Sequence, residues 1–293
     1  MRRLALACLL TGWVFTFGCF NSRFFYPTDV DYGTPARYGL DYEDVSFQSS
    51  DQTELHGWFI PAVGRSEGTV IFFYGDFANR TYNLKHVYWL PRMGFNLFTF
   101  DYRGYGDSGG VPDRTGIYLD SVAAIRYVLS RPECEHGNLF VYGQSLGGVF
   151  AIAAVAKNQF PSICAVVVEG TFTSFRAEAC YMMKHVSQEA IGRAPCITWS
   201  IPPVAYLGVG DALSPIDLVD QISPIPLLLI HCRGDTAVPY AQAEQLFNRA
   251  KAPKMLWQVD GCEHVRLFID WDSSPKYRRK LAAFFKAHQC DRP

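Results

Sequence analysis

The chain has 293 residues, of which 49% are hydrophobic and 15% are aromatic, and its formal net charge is -1. A chain of this length and apolar content can bury one large core, and its composition is not that of a disordered protein. The nearly neutral balance, with no long basic run, excludes the electropositive surface that nucleic-acid binding requires, so we expect no nucleic-acid partner.

The first eighteen residues differ from the rest of the chain. Two arginines precede an uncharged apolar run, residues 4–18, which is too short to span a bilayer comfortably and is typical of a signal peptide. The run ends at Gly18-Cys19, which resembles the lipobox of bacterial lipoproteins. That motif prefers a leucine-like residue where Thr16 stands and a small residue where Phe17 stands. We expect export to the bacterial cell envelope and a membrane anchor through lipidated Cys19; cleavage nearby, or an uncleaved N-terminal anchor, is the alternative.

Seven cysteines remain after the one inside the signal peptide and Cys19, and an odd number cannot all pair within the chain. No cysteine pair or Cys/His cluster has zinc spacing, so we expect no metal. Several of these cysteines lie in apolar strands, where a free cysteine behaves as a small hydrophobic residue. Cys180 and Cys196 flank one irregular segment and are the one candidate disulfide.

The segment 19–43 contains Tyr26-Pro27 and Gly33-Thr34-Pro35, which predict an extended tether rather than a packed element. The chain thus divides into a signal peptide, a tether and one large domain; their ranges are 1–18, 19–43 and 44–293.

Apolar strands alternate with helices through the large domain. The predicted strands are 45–47 and 55–60 (an opening hairpin), then 69–74, 95–100, 139–142, 165–168, 226–230 and 255–259. The predicted helices are 117–129, 147–156, 240–250 and 275–288. Repeated strand–helix units predict an α/β fold whose mostly parallel sheet is covered by helices on both faces. Residues 176–215, irregular and rich in large apolar side chains, predict a small cap.

A G-x-S-x-G pentapeptide, residues 143–147, lies between a predicted buried strand and a helix of small residues. A tight turn at this point needs small residues on either side of the serine and lifts its hydroxyl above the sheet. A glycine-rich turn without chemical significance is the alternative. The position between strand and helix favours Ser145 as a nucleophile.

A serine nucleophile needs a base, and the base needs an orienting acid, in the chain order Ser, acid, His. Asp235 follows the strand 226–230, and His264 follows the strand that ends near Val259. Both therefore leave the edge of the sheet that also carries Ser145, which is where open parallel sheets bind ligands. We predict His264 as general base and Asp235 as its acid.

Other residues compete for these roles. Glu169 and Asp260 also follow strands and are alternative acids, and Asp235 itself could be a turn residue. His231 lies inside an apolar strand, so we interpret it as a core histidine with a satisfied hydrogen bond. His288 lies in the last predicted helix, where we expect it to be solvated.

An oxyanion hole needs two backbone donors. The N–H of Leu146, directly after the nucleophile, is the first. The second should come from the loop after the strand that ends at Tyr74-Gly75; Asp76 is the prediction, and Phe77 is the next choice.

A dense motif at 101–110, Asp-Tyr-Arg-Gly-Tyr-Gly-Asp-Ser-Gly-Gly, follows the strand 95–100. Its charged, aromatic and glycine-rich character could indicate ligand binding. We interpret it instead as a structural loop in which Asp101 or Arg103 braces its neighbours.

Four segments together carry a family resemblance: 101–106, 143–148, Gly170-Thr-Phe-Thr-Ser174 and Ser214-Pro215. The chain resembles the α/β-hydrolase branch that includes BEM46-like and serine-aminopeptidase-like proteins, over about residues 45–288, and its N-terminus resembles that of bacterial lipoprotein hydrolases. The resemblance implies the α/β-hydrolase fold and the triad but no particular substrate. The family usually has His-Gly-Asn where this chain has Tyr74-Gly75-Asp76. An acidic side chain beside a developing negative charge is unfavourable unless it points away.

The predicted reaction is acyl transfer from a small-molecule or lipid-like ester or thioester to water, without a cofactor. A peptide is less favoured because no acidic pair suited to a substrate amino terminus is evident in the sequence. A serine peptidase is therefore the first alternative. A catalytically silent envelope binding protein of the same fold is the second.

Overall fold

The computed structural model describes residues 24–134, 137–191, 210–269 and 274–290. The predicted signal peptide, Cys19 and the cap residues 192–209 lie outside these ranges. Within them, no helix is both long and apolar enough to cross a bilayer.

A sheet of eight strands forms the centre of the domain. Its strands are β2 Glu43–Gln48, β3 Glu54–Ile60, β4 Thr69–Phe73, β6 Asn96–Phe100, β7 Leu139–Gln144, β8 Ile163–Glu169, β9 Leu227–Cys232 and β10 Lys254–Val259. Their spatial order is β2-β3-β6-β4-β7-β8-β9-β10. The pairs β2–β3 and β3–β6 are antiparallel and all others are parallel, which confirms the predicted hairpin and the mostly parallel sheet.

Helices connect the parallel strands. In the described ranges they are α1 Arg80–Asn83, α2 Arg114–Leu129, α3 Leu146–Asn158, α4 Phe175–Ile191, α5 Pro215–Leu218, α6 Tyr240–Arg249 and α7 Ser274–Ala287. Short 3-10 turns lie at Pro35–Tyr38, Leu84–His86, Pro91–Met93 and Val219–Gln221. The central helix α3 consists mainly of Gly, Ala and Val, and its first eleven residues are buried. Such small side chains allow a helix to approach a sheet closely.

The segment before β2 is packed against the domain, so the predicted tether is wrong for residues 24–43. Strand β1, Tyr26–Pro27, pairs in parallel with β5, Phe77–Ala78. Phe24, Phe25 and Leu40 are buried. The prolines and glycines do keep this segment extended, but burying its aromatic side chains stabilises its attachment.

The described residues contain two disulfides, and neither is the predicted pair of Cys180 and Cys196. Cys164 pairs with Cys290, and Cys232 pairs with Cys262. Cys196 is outside the described residues, so the predicted partnership of Cys180 is untested. The expectation that strand cysteines are unpaired is wrong for Cys164 and Cys232, because the fold brings each within a Cα distance of 5.1 and 5.5 Å of its partner.

The motif at 101–110 is structural, as interpreted. The buried Asp101 carboxylate accepts hydrogen bonds from the backbone N–H of Arg80 and the hydroxyl of Tyr74, and pairs with the Arg80 guanidinium. Arg103 pairs with the buried Asp120 at 2.8 Å and with Asp51 at 2.8 Å. These ion pairs fix the loop after β6 to the helix α2 and to the β2–β3 turn.

Candidate active site

Ser145 occupies a sharp turn between β7 and α3. Its φ of 51° and ψ of -121° are a strained conformation for a residue other than glycine. A Cβ atom at Gly143 would lie 2.6 Å from the Cα of Gly148, and one at Gly147 would lie 2.1 Å from the carbonyl oxygen of Phe73. The two glycines of the pentapeptide are therefore required by close backbone approach, which explains their spacing around the serine.

The three predicted triad side chains form one hydrogen-bonded chain. His264 Nε2 lies 3.0 Å from Ser145 Oγ, and His264 Nδ1 lies 2.7 Å from Asp235 Oδ2. Ser145 follows β7, Asp235 follows β9, and His264 follows β10. The three residues selected from chain order and strand ends thus lie within hydrogen-bond distance of one another, and their catalytic roles remain predictions.

Asp235 is held rigidly in its loop. Its Oδ1 accepts hydrogen bonds from the backbone N–H groups of Ala237 and Val238, at 2.9 and 2.8 Å, which leaves Oδ2 for His264. His231 is buried, and its Nε2 donates to the carbonyl oxygen of Val238 at 2.8 Å. The interpretation of His231 as a satisfied core histidine is confirmed, and its bond also fixes the loop that carries Asp235.

Neither alternative acid contacts His264. Glu169 ends β8, where its buried carboxylate accepts hydrogen bonds from the Tyr142 hydroxyl and from Gln144 Nε2. Burial raises the pKa of Glu169. Asp260 is largely exposed and lies 3.6 Å from the Arg233 Nε.

The two residues predicted to supply the oxyanion donors line the cavity together with Ser145. Leu146 is the first residue of α3, so its N–H has no acceptor within that helix. Asp76 lies just beyond the end of β4, and its carbonyl oxygen accepts bonds from the backbone N–H of Tyr26 and the Tyr105 hydroxyl, both at 2.9 Å. Burial raises the pKa of the Asp76 carboxyl, and the nearby His264 acts in the opposite direction. Asp76 lines the same cavity as Ser145 and His264, so an acidic residue does lie at the site.

The electrostatics of the site favour a protonatable base. Burial by itself lowers the pKa of His264, but the hydrogen bond and the negative charge of Asp235 outweigh it. The charges of Asp76 and Glu169 act in the same direction, so the pKa of His264 is raised above its ordinary 6.5. Stabilising an imidazolium in this way assists a base that must take a proton from a hydroxyl.

A cavity of about 320 Å³ opens in front of Ser145 and His264. Its lining residues are Phe24, Asp76, Ser145, Leu146, Phe172, Glu178, Tyr181, Met182, Thr236, Ala237, Val238 and His264. Glu178, Tyr181 and Met182 come from α4, the described beginning of the predicted cap. Most of the wall is apolar, as in many small-molecule sites.

Three contributors to this site escaped sequence reasoning. Phe24, from the supposed tether, forms part of the cavity wall and packs edge-on against Phe175 with ring centroids 5.2 Å apart. Gly170, at a φ of 59°, lies so close to His264 that a Cβ there would be 3.1 Å from the imidazole Cε1. Glu178 adds a carboxyl to the wall. Only Gly170 carried a sequence signal, as the glycine directly after a buried strand.

A family model described as "Serine aminopeptidase, S33" matches residues 64–196. The Escherichia coli K12 protein YfhR is 33% identical over 265 residues, which cover 89% of this chain and 85% of YfhR. The Arabidopsis thaliana protein WAV2, named as containing an alpha/beta hydrolase domain, is 32% identical over 223 residues, 75% of this chain and 70% of WAV2.

Among solved structures, the Pyrococcus furiosus esterase Pf2001 superposes with a TM-score of 0.71 at 23% identity, and the match covers 91% of this chain and 98% of the esterase. At that identity the likeness shows a common fold. The relatives above 30% identity show the family as well as the fold. The chain belongs to the α/β-hydrolase superfamily, and it is a hydrolase by family.

Proposed function

We propose that this protein is a serine hydrolase that cleaves a carboxylic ester or thioester through an acyl-enzyme. The observation that carries the proposal is the hydrogen-bonded chain from Ser145 Oγ through His264 to Asp235 Oδ2, at the floor of a largely apolar cavity. The family membership supports hydrolysis in general.

The mechanism follows from the geometry. His264 Nε2 takes the proton of the Ser145 hydroxyl while Oγ attacks the substrate carbonyl, and the negative oxygen that forms is held by the N–H groups of Leu146 and Asp76. The tetrahedral intermediate collapses as protonated His264 gives the proton to the leaving alcohol or thiol. Water then attacks the acyl-enzyme carbonyl while His264 takes its proton, and His264 gives that proton to Ser145 Oγ as the second intermediate collapses, which releases the carboxylic acid and regenerates Ser145.

The mechanism must also account for the Asp76 carboxyl. An ionised carboxylate on the residue that supplies an oxyanion donor would repel the negative charge that forms, so we expect this carboxyl to point away or to carry a proton when the intermediate forms. Its raised pKa lowers the cost of the protonated form.

A serine peptidase is the second candidate, and one observation favours it. No acidic pair near the site was evident in the sequence, but Asp76 and Glu178 both line the cavity. That reason for preferring an ester over a peptide is therefore wrong. The preference for an ester now rests on the apolar wall, which suits an acyl chain, and on the structural likeness to an esterase.

We also propose that the protein acts in an exported, membrane-attached form, anchored through Cys19. The two disulfides support an oxidising compartment, because such bonds are rare in the cytosol. A lipid-like acyl substrate fits this location.

Labelling with a fluorophosphonate tests the function directly. Wild-type protein should react covalently at Ser145, and Ser145→Ala should abolish both labelling and ester turnover while keeping the folded state. A wild-type protein that folds yet does not label would instead be the catalytically silent binding protein, and persistent labelling of Ser145→Ala would identify another nucleophile. A panel of p-nitrophenyl esters of increasing acyl length, with an aminoacyl amide beside them, separates esterase from peptidase.

A further inference from the structure

Glu178 is a buried carboxyl in the wall of the catalytic cavity. It lies in the first turn of α4, and its side chain is 6% exposed. It shares the cavity with Ser145 and His264, but it bonds to neither of them. The mechanism above assigns it no role.

The carboxyl is held in one orientation by Gln242 on α6. The Gln242 Oε1 accepts hydrogen bonds from the backbone N–H and the hydroxyl of Thr173, at 2.8 and 2.9 Å. These two donors fix the side-chain amide, so that its Nε2 must face Glu178, and it donates to Glu178 Oε2 at 3.0 Å. Among the described residues, no donor contacts Oε1, which remains for a group inside the cavity.

Among the described residues, no arginine or lysine pairs with Glu178. Burial raises the pKa of Glu178 to about 7, and the charges of Asp235 and Asp76 act in the same direction, whereas the hydrogen bond from Gln242 and the charge of His264 act against it. A buried carboxylate with a single hydrogen bond is costly, because buried charges are normally paired. Asp76 brings a second carboxyl to the same cavity, so an entering cation would meet two acidic groups.

We propose that Glu178 selects substrates that carry an ammonium group, separated by an apolar chain from the carbonyl that Ser145 attacks. The apolar wall formed by Phe24, Phe172 and Val238 would contact the chain, and Glu178 Oε1 would accept a hydrogen bond from the ammonium group. This inference rests on the proposed hydrolase function and adds the substrate class.

The test compares p-nitrophenyl esters of three chains of equal length: 6-aminohexanoate, 6-hydroxyhexanoate and heptanoate. Hexanoate esters of 5-aminopentanol, pentane-1,5-diol and hexan-1-ol place the same groups on the alcohol side. Rates are corrected with the Ser145→Ala protein. In at least one series the wild type should prefer the ammonium ester over the methyl-ended one in kcat/KM. Glu178→Gln, which keeps the shape and removes the charge, should lower that preference by about tenfold or more.

Glu244→Gln is the matched control, because it removes an exposed carboxyl from the helix that carries Gln242. It should leave the preference unchanged. No preference for the ammonium ester in either series, or an equal preference in Glu178→Gln, would overturn the inference.

A binding measurement separates this inference from the proposed function. Calorimetry with hexylammonium chloride and hexan-1-ol on wild-type protein should show tighter binding of the ammonium, by about tenfold. Ser145→Ala should retain that difference. If the two ligands bind equally to a protein that still labels with fluorophosphonate, the inference is overturned and the hydrolase proposal stands. If labelling is absent but the ammonium still binds more tightly, the hydrolase proposal is overturned and the binding preference stands.

Discussion

At the scale of single residues, Asp235 and Glu169 are both carboxylates near His264, but their hydrogen bonds differ. Asp235 Oδ1 is committed to two backbone N–H groups, so an asparagine at this position would keep its oxygen there and turn its NH₂ toward His264 Nδ1. His264 would then have to accept at Nδ1 and carry its proton on Nε2. In that tautomer it cannot take the proton of Ser145.

Asp235→Asn should therefore retain the fold and lose about 10⁴ in kcat, the size of the effect in serine proteases. Glu169→Gln is the comparison. Its oxygen can still accept from Tyr142 and Gln144, so we expect unfolding free energy to fall modestly and most of kcat to remain. Ester turnover is measured at matched folded fractions. An inactive Glu169→Gln beside an active Asp235→Asn would reassign the acid.

At the scale of elements, the disulfide Cys232–Cys262 joins the loops that carry Asp235 and His264. Cys232 ends β9 three residues before Asp235, and Cys262 lies two residues before His264. It therefore ties together the residues whose separation sets the Asp235–His264 hydrogen bond. The other disulfide, Cys164–Cys290, links the start of β8 to the chain after α7, far from this edge of the sheet.

The two disulfides should consequently differ in what they support. Chain-entropy arguments give about 4 kcal/mol for closing the shorter loop and about 5 kcal/mol for the longer one. Replacing Cys232 and Cys262 by serine should lower kcat/KM in protein that is still folded. Replacing Cys164 and Cys290 should lower the melting temperature as much or more and leave kcat/KM near wild type. Equal losses of kcat/KM in the two double variants would contradict a specific role for the first disulfide.

At the scale of the whole molecule, the N-terminal segment leads directly to the catalytic cavity. Phe24 lies in the cavity wall and follows Cys19 by five residues. An extended chain spans at most about 3.5 Å per residue, so Cys19 is within about 18 Å of Phe24. A lipid on Cys19 would hold the cavity close to the membrane surface.

The effect of removing the anchor on turnover should then depend on whether the substrate is dissolved or held in a membrane. Cys19→Ser expressed in a bacterial host should leave the membrane fraction or fail to mature. Its turnover of a soluble short-chain ester should match that of wild type, whereas hydrolysis of an acyl substrate held in vesicles should fall. Mass spectrometry of the mature wild-type N-terminus is decisive for the anchor. A terminal residue other than Cys19 rules it out.

Local patterns in the sequence were sufficient for the parallel sheet and for the three side chains that form the hydrogen-bonded chain from Ser145 to Asp235. Buried parallel strands are continuous apolar runs, and a catalytic side chain in this fold follows such a run directly. Ser145, Asp235 and His264 could therefore be selected from strand ends and chain order alone. The structural character of the motif at 101–110 and the core position of His231 were accessible in the same way.

Tertiary structure decided what depends on residues distant in the chain. The disulfides follow from the order of the strands, since Cys232 and Cys262 meet only because β9 and β10 are neighbours. The packing of Phe24 depends on the surface offered by Phe172 and Phe175, and the tether prediction failed because proline and glycine report backbone shape but not what the aromatic side chains contact. Glu178 lines the cavity and its carboxyl accepts a hydrogen bond from Gln242, 64 residues away, which no local pattern could show. The end of a strand can be recognised from local hydrophobicity, whereas contacts between residues distant in the sequence form only when the sheet is assembled.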